Sequence, residues 1–132
     1  MPHFRTGLSI LALLVAPTAL GCSSAKAEDT DLGDVPAGPQ TFHVAREGDA
    51  VVAGGKTRFV IKVTAGTPPT SLTGWVGVES GEGSLKYKAS FDSKDGDFDD
   101  DVTAPSPLPA GSKFWLDVDN NGVKTTGSIA LK

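Results

Sequence analysis

Apolar residues in this chain recur at every second position, in short runs separated by glycine, proline and asparagine. In residues 58–64, Phe59, Ile61 and Val63 fall on one side and Arg58, Val60 and Lys62 on the other. Phe114, Leu116 and Val118 alternate with Trp115, Asp117 and Asp119, and Val123, Thr125, Gly127, Ile129 and Leu131 continue the pattern. Successive side chains of an extended strand point to opposite faces, so period two marks half-buried strands. Beyond the N-terminal segment no window of about a dozen residues carries a helical stripe. Such a chain must bury its apolar side by packing sheet on sheet.

The alternation predicts strands at 41–45, 50–53, 57–64, 73–79, 84–91, 97–103, 112–119 and 123–131. In the run 84–91, Leu85, Tyr87, Ala89 and Phe91 are expected to share one face. The breaks carry turn chemistry: Gly54-Gly55, Thr67-Pro68-Pro69, Gly81-Glu82-Gly83, Asp95-Gly96, the proline-rich 105–109 and Asn120-Asn121-Gly122. The last break admits two hairpin registers. A loop at Asn120-Asn121 pairs Asp117 with Lys124, and a loop at Asn121-Gly122 pairs Asp119 with Lys124. Seven or eight short strands in about 90 residues predict an all-β, immunoglobulin-like antiparallel sandwich, with a small β-barrel as the alternative. Residues 98–105 together with Gly111-Ser112-Lys113-Phe114-Trp115 resemble small periplasmic sandwich domains of the YtkA kind, which implies the same architecture. The mature chain lacks the methionine needed for the copper role of some of those domains.

The N-terminus reads differently. Arg5 precedes an apolar run over 8–20, about 13 residues long and broken by Pro17 and Thr18. That is shorter than the roughly 20 residues of a membrane span and suits a cleavable secretory segment. Ala19-Leu20-Gly21-Cys22 follows, with the chain's only cysteine at its end. This combination resembles the signal peptide and lipobox of bacterial lipoproteins. The resemblance implies cleavage before Cys22, acylation of its thiol, and attachment to the membrane through that lipid. Ser23 is not the aspartate that such proteins use for inner-membrane retention, so the expected place is the cell envelope at the outer membrane. The expected organisation is a signal peptide at 1–21, acylated Cys22 with a flexible acidic tether to 40, and a sandwich domain at 41–132. A tether of that length spans about 25 Å.

Cleavage would leave 111 residues with eleven basic and sixteen acidic side chains, a net charge of −5. An acidic domain is not built for nucleic acid, which needs basic patches. With one cysteine there is no internal disulfide, and apolar packing alone must hold the core.

Three groups of residues are candidates for chemistry. The acidic run 92–101 contains Asp95, Asp97 and Asp99 at the alternating spacing of calcium ligands, but it lacks the glycine and the distal glutamate of a calcium loop. The competing reading is a solvated hairpin whose charges discourage edge association. Asp117, Asp119 and Asn121 match the first half of an EF-hand loop, D-x-D-x-N-G, yet position twelve is Ser128 and the flanks read as strands. The hairpin turn accounts for Asn121 and Gly122 without a metal. Trp75 and Trp115, with Tyr87, are candidates for an aromatic platform facing a sugar or a protein; Trp115 falls on the face opposite Phe114 and Leu116. Its alternative role is packing under a loop. His43 is the single histidine of the mature chain, with no nucleophile-elbow sequence near it. The expectation is a non-enzymatic module without a required cofactor, tied to the membrane through Cys22 and binding a protein or glycan, with calcium as the alternative ligand.

Overall fold

A computed structural model describes residues 29–132. The expected signal peptide, the lipobox and Cys22 lie outside the described residues. Nine strands form two antiparallel sheets: β1 (Thr30–Ala37), β2 (Gln40–Arg46), β3 (Lys56–Ala65), β4 (Ser71–Gly77), β5 (Tyr87–Lys88), β6 (Ser90–Asp92), β7 (Asp97–Thr103), β8 (Lys113–Asn120) and β9 (Val123–Ala130). One sheet has the order β1-β2-β3-β7-β6 and the other β5-β4-β8-β9. Neither closes on itself, so the fold is a sandwich and not the alternative barrel. With β1 set aside, the two orders are those of the immunoglobulin sheets, four strands against a three-stranded sheet extended by one. Strand β1 is an addition at the edge.

The core follows the alternation. Phe42, Val44, Phe59, Ile61 and Val102 come from one sheet and Leu72, Val76, Phe114, Leu116 and Val118 from the other, all essentially buried. Burying each of these side chains contributes about 1.5–3 kcal/mol. The rings of Phe59 and Phe114 stack across the sandwich at 3.9 Å between centroids. At one end Gln40 and Asn120 exchange amide hydrogen bonds of 2.6 and 3.0 Å, joining β2 to β8.

Three sequence expectations are corrected. Residues 30–37, read as tether, are strand β1, with Leu32, Val35 and Ala37 buried. A bulge between Asp31 and Gly33 breaks the period-two pattern there, so the apolar spacing is three and then two. Residues 50–53 form a loop rather than a strand, and Val52 is exposed. The expected strand at 84–91 is split. Strand β5 belongs to one sheet and β6 to the other, with Ala89 crossing between them and donating its N–H to Leu72 O. Leu85 falls in the loop before β5 and Phe91 lies beyond the change of sheet, so both end up exposed rather than on a shared buried face.

The final hairpin adopts the second of the two registers. Asp119 faces Lys124, Asn120 faces Val123, and the loop is Asn121-Gly122. Both loop residues have positive φ, 54° and 92°, as a type I′ turn requires.

Candidate functional site

Strands β4 and β8 face each other with Trp75 opposite Trp115. On β4 the inward positions are Leu72, Gly74 and Val76, so Trp75 stands on the outside of the four-stranded sheet, and Trp115 stands beside it. Their rings stack at 6.2 Å and 13°. The indole N–H of Trp75 donates to Val78 O at 2.8 Å and that of Trp115 to Gly77 O at 2.9 Å. Lys86 folds over Trp75 with its ammonium 4.1 Å from the ring and 3.4 Å from Asp117, which also accepts a hydrogen bond from Thr126. The lysine, the turn at 78–81 and the second indole close Trp75 off to 1% exposure, so it is no open platform residue. Trp115 remains partly exposed, beside the Lys113 ammonium at 5.9 Å. Tyr87 does not join the pair. It is partly buried against the core.

The acidic run divides by strand parity. Asp92, Asp95 and Asp97 bring carboxylate oxygens within 4.8 Å of one another. Asp99 is not part of this group; Asp92 takes its place because β6 pairs Asp92 directly with Asp97. Burial, and then the charges of Asp99, Asp95 and Asp92, raise the Asp97 carboxyl above its ordinary value. One Asp97 oxygen is buried without a hydrogen-bond partner. The EF-hand-like residues are already engaged. Asp117 binds Lys86 and Thr126, Asp119 accepts the Gly122 N–H at 2.7 Å, and the Asn121 amide oxygen accepts the Thr70 hydroxyl. They serve the hairpin.

Asp100 is the residue that the reading of a solvated hairpin missed. It is 1% exposed and points between the sheets, and neither carboxylate oxygen has a hydrogen-bond partner. Its Oδ2 occupies the space that a side chain on Gly74 would fill, next to the Phe114 ring. Burial pushes its pKa up to about 7; the nearby Gly74 N–H works against this without completing a hydrogen bond, and Asp101 adds to the rise. The signal was in the sequence, since Phe98, Asp100 and Val102 share one parity.

On the outside of the five-stranded sheet His43 lies between two acids of β1, with Nδ1 2.8 Å from Asp34 and Nε2 3.1 Å from Asp31. The two ring nitrogens thus tie β2 to both acids of β1, fastening the edge strand to its neighbour. A shallow depression of about 430 Å³ on this sheet is lined by Glu47, Gly48, Lys56, Arg58 and Asp101, and His43 is not among its walls. Arg58 grips Asp101 with two nitrogens, at 2.9 and 3.3 Å, and holds that carboxyl below its usual range.

No family model matches this chain, and no curated protein or solved structure matches it significantly.

Proposed function

We propose that this protein is a lipid-anchored module of the bacterial cell envelope that binds a protein or glycan through the outer face of its four-stranded sheet and performs no catalysis. The observation that carries the reading is Trp115. A large aromatic side chain stands outside a sandwich whose core is complete without it, backed by Trp75 and left partly open. Indoles in such positions supply apolar contact area at small entropic cost and dominate binding surfaces. The lipobox-like Ala19-Leu20-Gly21-Cys22 supports the anchor.

A photo-crosslinker at Lys113 in living cells tests the face. Capture of a discrete partner that Trp115→Ala abolishes is the expected result, and capture unaffected by Trp115→Ala overturns it. Lipid labelling tests the anchor: wild type takes up label and Cys22→Ser does not. Label on the serine variant would refute acylation at Cys22.

A second reading has its own observation. The Asp92, Asp95 and Asp97 oxygens converge, and one Asp97 oxygen lacks a partner, as in an oxygen-rich calcium site at the β6–β7 turn. Calcium is then expected to raise the melting temperature, and Asp95→Ala with Asp97→Ala to remove the rise. An unchanged melting temperature in calcium rejects this reading.

A further inference from the structure

Each sheet of the sandwich ends in two edge strands, and three of the four are blunted. Strands β5 and β6 are two and three residues long. Strand β1 carries the bulge at Asp31/Gly33 and, at Pro36, a residue with no N–H to offer. Short strands, bulges, prolines and charges are the devices by which proteins protect an edge. Strand β9 has none of these apart from Lys124. It is eight residues long, contains no proline, and pairs with β8 in one unbroken register.

The direction of its free backbone groups follows from the turn. Asn121-Gly122 is a two-residue loop, so Asn120 and Val123 form the hydrogen-bonded closing pair. Hydrogen-bonded and non-hydrogen-bonded pairs alternate along an antiparallel ladder. Val123, Thr125, Gly127 and Ile129 therefore bond to β8. Lys124, Thr126, Ser128 and Ala130 point their N–H and C=O groups sideways, and no backbone hydrogen bond within the described residues reaches them. The same rule applied to the Gly38-Pro39 turn leaves Pro36 pointing outward on β1, where its missing N–H costs nothing. Strand β1 lies against the inward side of β9, where Gly127 and Thr125 meet Val35 and Gly38, and among the described residues no strand pairs with the edge itself.

We propose that β9 pairs with β9 of a second copy of this chain about a two-fold axis at Gly127. Antiparallel pairing about that residue sets Lys124 against Ala130 of the other copy and Thr126 against Ser128. All four outward residues then find outward partners. No lysine faces a lysine, whereas a shift of one rung toward the C-terminus sets Lys124 against Lys132 and leaves Lys124 with a like charge. The outward side chains Thr126, Ser128 and Ala130 are small and offer no steric barrier. The product is a continuous eight-stranded sheet.

Sedimentation of the purified full chain across a wide concentration range tests this, with amide hydrogen exchange as a second readout. The expected result is a concentration-dependent dimer in which the amides of Lys124, Thr126, Ser128 and Ala130 are protected. Ser128→Pro removes one outward donor that β8 does not use, and it is expected to give a monomer in which the other three amides exchange rapidly. Ser128→Ala is expected to keep the dimer. Two further variants test the register and do not depend on tolerance of proline: Ala130→Lys is expected to weaken the dimer roughly tenfold, by opposing Lys124 twice, and Ala130→Glu to strengthen it. A wild-type chain that stays monomeric at every concentration overturns the proposal. So does a dimer indifferent to both Ala130 variants, which would place the contact elsewhere.

Discussion

Across the outside of the five-stranded sheet one rung of neighbouring side chains runs Asp34, His43, Lys62, Asp97, Asp92 through all five strands, while the outside of the four-stranded sheet carries Trp75 facing Trp115. The first face is made mostly of exposed charges in which acids predominate, with Asp97 partly buried among them. Its members can be exchanged at little cost, because exposed ion pairs are worth at most about 1 kcal/mol. The second face holds aromatic bulk that the core does not need, and it spends a lysine and a turn to cover only one of the two indoles. The same period-two rule built both faces. The difference teaches that alternation assigns a side and not a purpose: the outward residues of one sheet carry a row of charges, and those of the other stack two indoles beneath a lysine.

The sharpest way to break this comparison is to truncate the indoles. Trp75→Ala is expected to destabilise the domain by about 3–5 kcal/mol, as for a buried aromatic, and Trp115→Ala by about 1–2 kcal/mol, by urea denaturation. Equal costs would mean that the two tryptophans are equally buried and that no open indole exists.

The next effect tests the one acid that crossed to the inside. The folded-state pKa of Asp100 is raised to about 7 from an ordinary 3.8. The folded protein therefore holds a proton that the unfolded chain releases. The contribution of Asp100 to stability is greatest below about pH 4, declines as pH rises toward 7, and is level above that, for a total on the order of 4 kcal/mol. Asp100→Asn is expected to flatten this slope, read as the difference between variant and wild type in urea midpoints at acid and neutral pH. A slope unchanged by the substitution would mean that Asp100 is ionised or solvated in the folded state.

The smallest effect belongs to the charged face. Arg58→Ala breaks the two hydrogen bonds to Asp101, and with both side chains more than 40% exposed it is expected to cost less than about 1 kcal/mol, a loss that shrinks further in high salt. A larger, salt-independent loss would show that this face too has a packed role.

Much of the fold was legible because β3 and β8 keep an unbroken alternation. What escaped the sequence has identifiable causes. In β1 the bulge at Asp31/Gly33 shifts the parity of Leu32 relative to Val35, and Pro36 looks like a loop residue although its position on an outer edge tolerates it. At Ala89 the chain passes from one sheet to the other, a choice made by the partners of Tyr87 and Phe91 and invisible in their own spacing. Between the two hairpin registers at Asn120-Asn121-Gly122 the local residues are nearly indifferent. The structure selects the one that puts Asn121 and Gly122 at positive φ and lets Gln40 capture Asn120. Among the candidate ligands, spacing joined Asp95, Asp97 and Asp99, while only the β6–β7 pairing brought in Asp92 and left out Asp99.

The sequence by itself determined that this protein is all-β, which residues of β3 and β8 face inward, and that Trp115 lies on the outside. These are consequences of local geometry, since a pleated strand alternates its side chains whatever it packs against. Only the tertiary structure decided that Trp75 is covered while Trp115 stays partly open, that Asp100 sits unpaired against Gly74, and that β9 is, among the described residues, the one long edge left without protection. Each of those depends on which strands become neighbours, and pairing is set by the burial of both sheets together rather than by any single run of residues.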